Sequence, residues 1–118
     1  MIMWNIDYSD EYNEWFDSLA EAERIAVLER IILLQNIGPN LPRPYSDVLH
    51  GSKKYKNLKE LRNQTRNSVL RVSYYFDSKR NAYLITGGDK KGKVEKKFYK
   101  DLVKLSEEII ERHEKEAL

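Results

Sequence analysis

Three consecutive strand-like segments, joined by short polar connections, constrain the fold of this chain more than any other feature of its sequence. They are Leu58 to Asn63, Ser68 to Asp77, and Asn81 to Thr86. Connections this short join neighbouring antiparallel strands, so the three segments predict an antiparallel meander. The middle segment alternates, which predicts one face made of Leu70, Val72, Tyr74 and Phe76 and another made of Val69, Arg71, Ser73 and Tyr75.

Helical patterns lie on both sides of the meander. Ser9 is a candidate N-cap, and the apolar stripe that follows consists of Tyr12, Trp15, Phe16 and Leu19. A second helix is predicted to end at Gly38 and Pro39, and its apolar face is predicted to consist of Ile25, Leu28, Ile31 and Ile32. A last helix is expected to begin at about Lys96.

These elements, with a first strand expected at Ile2 to Tyr8, give the order β-α-α-β-β-β-α. The order predicts an α+β fold with a small antiparallel sheet of about four strands. We expect the helices to pack on one face of the sheet and to leave the other face to basic residues. The length of 118 residues predicts a single domain, residues 1–118.

Charge is strongly segregated along the chain, although the net charge of the whole is only +2. Residues 50–100 contain fifteen Lys and Arg but four Asp and Glu, a net charge of +11. Residues 1–49 carry a net charge of −6 and residues 101–118 a net charge of −3. A basic block of this kind favours a polyanionic partner, above all nucleic acid.

Several classes of protein are not expected. The chain has no cysteine, and its two histidines, His50 and His113, are too few and too distant for a convincing metal site. No phosphate-binding glycine motif is present, so we expect neither a metal nor a cofactor. The sequence has no membrane-length apolar run and no signal-peptide pattern, and we expect a cytoplasmic protein without a membrane partner.

A positively charged surface is predicted on the sheet face that carries Arg71, with Glu60 and Arg62 of the preceding strand pointing the same way. Basic and tyrosine side chains lie in the segments that enter and leave the meander. The candidate set for contact with phosphates and unpaired bases is Lys53, Lys54, Lys56, Lys90, Lys91, Lys93, Tyr55, Tyr75 and Tyr99.

Such a surface has the groups that RNA needs for cleavage by attack of its own 2′-hydroxyl. A base removes the hydroxyl proton, a cation stabilises the charged phosphorane, and an acid protonates the leaving 5′-oxygen. Arg71 suits the phosphorane, because a guanidinium bonds two phosphate oxygens at once. A tyrosine or a lysine such as Tyr99 or Lys90 can exchange the protons.

Structural roles stay open for the same residues. Arg71 could be a strand residue that is paired with Glu60, and Glu60 could be either a general base or the partner of Arg62. Tyr99 stands beside the predicted core residue Phe98, so packing and catalysis are both open there. The lysines at positions 53, 54 and 56 could form a solvated loop, and His50 is a candidate acid–base group by residue type alone.

Four segments in order resemble the signature of the RelE/HigB toxins, and most of all that of their phage-derived HigB-like branch. They are Leu58-Lys-Glu-Leu-Arg62, Val69 to Phe76, Ile85 to Lys90, and Phe98-Tyr99. The acidic amphipathic opening of the chain and the Gly38-Pro39 break resemble that branch as well. The likeness covers nearly the whole chain, and it rests on the order and spacing of the motifs together.

The resemblance implies a RelE-like fold and an endoribonuclease toxin of a toxin–antitoxin system that cleaves mRNA, generally on the ribosome. It also implies a cognate helix-turn-helix antitoxin of the HigA type. By position, Arg71 corresponds to the strand arginine that supports the transition state, Tyr99 to the catalytic tyrosine, and Lys90 or Lys91 to a basic residue after the last strand. Arg62 corresponds to a basic residue of the second strand.

The chain departs from the family pattern at the proton acceptor. Relatives that use a lysine carry it on the strand where this chain has Leu58 and Glu60, and this chain has no histidine between His50 and His113. Two other functions therefore stay open: a non-catalytic module that binds RNA or the ribosome, and an interaction domain whose basic face receives an acidic protein.

Overall fold

The computed structural model describes residues 3–117. Its elements are β1 (Ile6–Tyr8), α1 (Asp10–Asp17), α2 (Glu21–Ile37), β2 (Ser46–Val48), β3 (Lys59–Gln64), β4 (Val69–Phe76), β5 (Ala82–Asp89) and α3 (Glu95–Glu116). A 3-10 turn, Gly38–Asn40, follows α2. Over the described range, no helix combines the length and the apolar character that crossing a membrane would require.

The strands form one sheet in the order β1-β5-β4-β3-β2. Strands β2 to β5 pair antiparallel in sequence order, and β1 joins β5 in parallel. The α+β class and the meander of β3, β4 and β5 are confirmed. The described residues contain five strands instead of about four, because Ser46–Val48, which has no clear strand pattern, pairs with the edge of β3.

Helices α1 and α2 cover one face of the sheet. The predicted core side of β4 packs there, with Leu70, Val72 and Tyr74 fully buried. The predicted apolar face of α2 is wrong in part, because its buried side chains are Val27, Ile31 and Leu34. Ile25, Leu28 and Ile32 are exposed, so α2 has a second apolar stripe that is not part of the core cluster.

Helix α3 covers part of the opposite face, where we expected only basic residues. Its apolar side chains Leu102, Ile109 and Ile110 pack with Tyr75 and Tyr83 in a second buried cluster. The helices therefore lie on both faces of the sheet, and the expectation of one covered face is corrected. The physical reason is that Tyr75, Tyr83 and Ile85 make this face apolar enough to bury a helix.

Gly38 ends α2, as its sequence position predicts. Its φ of +76° lies in the left-handed region, and a side chain there would overlap the indole ring of Trp4. The first strand begins at Ile6, later than predicted, and Ile2 of that prediction lies outside the described residues. Helix α3 begins at Glu95, one residue before its predicted start.

Candidate functional site

Two arginines face each other across β3 and β4, with a carboxylate between them. Arg62 and Arg71 are direct partners in the register of the two strands. Like charges in this position repel, and Glu60 offsets the repulsion, because its carboxylate lies 3.3 Å from Arg62 Nε and 3.6 Å from Arg71 Nε. The Glu60 side chain is only 4% exposed, and its Oε1 has no hydrogen-bond partner.

Tyr99 joins this cluster from the first turns of α3. Its hydroxyl accepts a hydrogen bond from Arg71 Nε at 3.2 Å, and Arg71 Nη1 donates to the carbonyl of Leu70 at 3.0 Å. The Arg71 side chain is 10% exposed, so most of its donors already point to the protein. The arrangement holds the Tyr99 hydroxyl against Arg71 of β4.

Lys90 approaches Tyr99 from the end of β5. Its ammonium lies 5.4 Å from the centre of the Tyr99 ring, which is within the range of a cation–π contact. It also pairs with Glu95 at 2.7 Å, the first residue of α3. The structure therefore brings together Glu60, Arg62, Arg71, Lys90 and Tyr99, although Glu60 and Glu95 neutralise part of the positive charge.

A cavity of about 300 Å³ opens beside this cluster. One part of its wall consists of Glu60, Arg62, Glu95 and Tyr99, and the other consists of Arg43 and residues 47–50. Arg71 does not line the cavity; it lies beneath Tyr99, to which it is hydrogen-bonded. The Arg62 side chain is 34% exposed and that of Arg71 only 10%, so a ligand in the cavity would reach the guanidinium of Arg62.

His50 lines the same cavity, which sequence reasoning did not reveal. It is carried there by β2, which pairs with β3 and leads the chain past Glu60. Recognition of β2 as a strand that pairs with β3 would have predicted that His50 lies near Glu60. His113 is elsewhere, stacked on Tyr83 and 3.0 Å from Asp77.

The ion pairs around the cavity shift the pKa values of its charged groups. Burial lowers the pKa of Arg62, but the carboxylates of Glu60 and Asp47 outweigh this effect and raise it above the usual value. The hydrogen bond from Arg43 lowers the pKa of Asp47, and the hydrogen bond from Lys90 lowers that of Glu95. Asp47 and Glu95 are thus held ionised next to the cations that a phosphate would need.

The basic loop before β3 lies away from this cavity. Lys54 pairs with Glu111 of α3 at 3.6 Å, and Ser52 bonds Glu107 of the same helix at 2.9 Å. Glu111 is twelve residues after Tyr99, a separation of about 18 Å along a helix. The structure does not bring Lys53, Lys54 and Lys56 to the cluster, and Tyr55 packs against the second buried cluster.

Of the remaining predicted residues, one is buried in the core and two are exposed near Lys90. Tyr75 is 2% exposed within the second buried cluster, so it presents no ring to a base. Lys91 and Lys93 are exposed in the turn between β5 and α3, at the same end of the sheet as Lys90. The ammonium of Lys93 lies 5.8 Å from the centre of the Phe98 ring.

The two glycines of the Gly87-Gly88 motif position the site by their size. A Cβ atom on Gly87 would lie 2.6 Å from the Trp15 ring, and one on Gly88 would lie 2.9 Å from the Phe98 ring. Neither distance is tolerated without a shift. Phe98 precedes Tyr99 in the first turns of α3. The close packing of the Phe98 ring on Gly88 therefore helps to fix the position of Tyr99.

No group of three or more metal-ligating side chains is present among residues 3–117.

A protein-family model described as phage-derived protein Gp49-like matches residues 14–111. The chain belongs to the Gp49-like family. It is 33% identical to HigB3 of Mycobacterium tuberculosis over 101 residues, which cover 86% of this chain and 85% of that protein. It is 31% identical to HigB2 of the same organism over 111 residues, which cover 93% of this chain but 54% of HigB2, about half its length. The names of both proteins class them as candidate toxins.

Two solved structures share the fold of this Gp49-like chain. One is an arginine double mutant of the E. coli toxin RelE in the free state, with a TM-score of 0.56 at 12% identity over 94% of this chain and 98% of that one. The other is the archaeal RelE–RelB complex from Pyrococcus horikoshii, with a TM-score of 0.55 at 16% identity over 77% of this chain and 99% of that one. The resemblance to the RelE/HigB toxins is confirmed at the level of family and fold.

Proposed function

We propose that this protein is the toxin of a toxin–antitoxin pair and that it cleaves mRNA in association with the ribosome. Family membership supports the first part. The second part is supported by one observation above all. Tyr99, Arg62 and His50 line one cavity of about 300 Å³, and the ammonium of Lys90 lies against the Tyr99 ring.

In the proposed reaction the 2′-oxygen of RNA attacks the adjacent phosphorus and the 5′-oxygen leaves. Arg62 and Lys90 contact the phosphate, because they are the more exposed cations of the cluster, with 34% and 20% of their side chains accessible. Their charge stabilises the phosphorane. The products are a 2′,3′-cyclic phosphate and a 5′-hydroxyl, and the proposed chemistry uses side chains alone.

Tyr99 and His50 are the groups proposed to move the protons. They lie in different parts of the wall of the cavity, so one can take the proton of the 2′-hydroxyl while the other donates one to the leaving oxygen. Arg71 is then a positioning residue that holds the Tyr99 hydroxyl. Glu60 holds the two arginines by charge and is less suited to be the base, since its carboxylate is buried and forms ion pairs with both of them.

Induced expression tests this function. Wild-type protein should arrest growth and create new transcript 5′ ends, and Tyr99→Phe should lower the yield of these ends by about 10²-fold or more at equal protein level. Tyr8→Phe is the matched control, because Tyr8 is an exposed tyrosine outside the cavity. Growth and transcripts that stay unchanged on expression of the wild type would remove the proposed function.

A second candidate is a non-catalytic module that binds RNA or the ribosome. It is favoured by Glu95 and Asp47, which pair with cations at the cavity, and by Glu60, which stands where lysine-using relatives carry the proton acceptor. Binding to ribosomes without new 5′ ends would support this candidate over the enzyme.

We further propose that residues 1–118 act as one cytoplasmic domain that a cognate antitoxin neutralises. A helix-turn-helix antitoxin of the HigA type is the partner that the resemblance implies. Co-expression with the product of the neighbouring gene tests this proposal, since the correct partner should restore growth and co-purify with the protein.

A further inference from the structure

Strand β1 covers only three of the eight residues on the outer edge of β5. Strand β1 pairs with Ala82, Tyr83 and Leu84, and the chain then turns at Ser9 into α1. The Ser9 hydroxyl also donates to the carbonyl of Ile85. Among residues 3–117, no strand pairs with the outer edge of β5 beyond Leu84, although the strand continues to Asp89. A strand edge of this kind is a template for another extended segment, which here would continue the line of β1.

An apolar groove of about 510 Å³ runs beside this open edge. Thr86, Gly87 and Gly88 of β5 form one side of it, and one face of α3 forms the other side. The two glycines have no side chains to cover the strand edge. Two apolar side chains of the groove are unusually exposed, Val94 at 74% and Leu105 at 40%.

The rim of the groove is basic. Lys93 and Lys97 line it, and the one acidic side chain among the lining residues, Asp101, is paired with Lys97 at 3.0 Å. The turn that leads to the groove adds Lys90 and Lys91. Apolar lining with a cationic rim fits a peptide that has both apolar side chains and carboxylates, and it fits a bare phosphate chain less well.

We propose that this groove docks an extended segment of a protein partner, in which apolar residues alternate with acidic ones. The segment adds as a strand to β5 from Thr86 to Asp89. Its apolar side chains pack on Phe98 and Leu105, and its carboxylates meet Lys93 and Lys97. The exposed stripe of Ile25, Leu28 and Ile32 on α2 is the competing surface, but it has neither an open strand edge nor a basic rim.

Peptide docking can be measured separately from RNA cleavage, because the groove itself contains neither Tyr99 nor His50. The probe is a synthetic octapeptide of alternating valine and glutamate, added to the full-length ¹⁵N-labelled protein. Shifts of the backbone amide signals are expected at Thr86, Gly87 and Gly88 and in the first turns of α3. A matched peptide with lysine in place of glutamate tests the charge, and one with a central proline tests the added strand, because proline removes a backbone donor.

Charge reversal on the protein gives the second readout. The double variant Lys93→Glu/Lys97→Glu should lower the affinity for the valine–glutamate octapeptide by about fivefold or more. The variant Lys53→Glu/Lys56→Glu changes the charge equally on the loop before β3 and should leave the affinity unchanged.

Three results would overturn the proposal. One is the absence of any shift at millimolar octapeptide, and another is a set of shifts confined to α2. The third is equal binding of the proline or lysine peptide. If an RNA oligonucleotide shifts Gly87 and Gly88 and the octapeptide does not, the groove belongs to the RNA path instead of a protein partner.

Discussion

Glu60 holds two opposed arginines in place, and its neutralisation by Glu60→Gln should destabilise the protein strongly. At 3.6 Å and an effective dielectric constant of about 20, a charge pair is worth about 5 kcal/mol. The cost of burying the carboxylate offsets part of this value, and Arg62, whose side chain is 34% exposed, contributes little because solvent screens its charge. Loss of one partner of a buried pair leaves the other charge uncompensated. We therefore expect the free energy of unfolding to fall by about 2–4 kcal/mol.

Urea or thermal unfolding measures this loss, and for a domain of this size about 3 kcal/mol corresponds to a fall in Tm of roughly 10 °C. Asp101→Asn is the control, because it removes a carboxylate from an exposed pair with Lys97 and should cost less than about 1 kcal/mol. A Glu60→Gln protein as stable as the control would refute the reasoning. Glu60 would then be free to act as the general base, which was the other role open to it from the sequence.

Three further predictions concern packing, pH and proton transfer. Gly88→Ala should cost about 1–3 kcal/mol by overpacking against Phe98, and adding Phe98→Leu should recover part of this loss in urea unfolding. The hydrogen bond from Arg112 lowers the pKa of Glu11 in the folded protein. The ionised carboxylate therefore stabilises the fold above its unfolded pKa of about 4.3, and this stabilisation is lost as the pH falls further. Glu11→Gln should make the decline in stability between about pH 5 and pH 3 less steep, and equal declines in the variant and the wild type would contradict this. His50→Ala should lower the rate of RNA cleavage by about 10²-fold with RNA affinity unchanged in a filter-binding assay, and an unchanged rate would remove His50 from the mechanism.

The central part of the fold was predictable because β4 alternates without interruption. Leu70, Val72 and Tyr74 are on the core face as predicted, and short turns left only one way to pair β4 with its neighbours. Strand β2 was not predictable, because three residues carry too little pattern and its pairing depends on β3.

The environment of α3 was not predictable for a related reason. The stripe predicted from the sequence consists of Phe98, Leu102, Leu105 and Ile109, of which Leu105 is exposed. The stripe indicates that α3 packs, but periodicity does not say on which face of the sheet. The face on which α3 packs depends on Tyr75 and Tyr83. A tyrosine side chain is amphipathic, so from the sequence either a buried face or an RNA-binding surface was compatible with these two residues. Similarly, α2 carries more aliphatic residues than one face can bury, so the buried set could not be selected from the sequence.

The candidate site was predictable in its chemistry but only partly in its membership. Glu60, Arg62 and Arg71 follow from strand alternation, and the structure places them in contact. The basic loop was misplaced, because a run of lysines does not show that Lys54 pairs with Glu111, which lies about 18 Å along α3 from Tyr99. The role of Glu95 as the partner of Lys90 was also hidden, since it depends on the turn between β5 and α3.

Cleavage of an mRNA with a single 2′-deoxy nucleotide at the scissile position tests the central claim most directly. Purified protein and programmed ribosomes should cut the all-ribose message in a single turnover and leave a 2′,3′-cyclic phosphate. The deoxy message should resist cleavage at that position, and Tyr99→Phe should slow cleavage of the ribose message. Equal cleavage of the ribose and deoxy messages would contradict attack by the 2′-hydroxyl and the mechanism built on it.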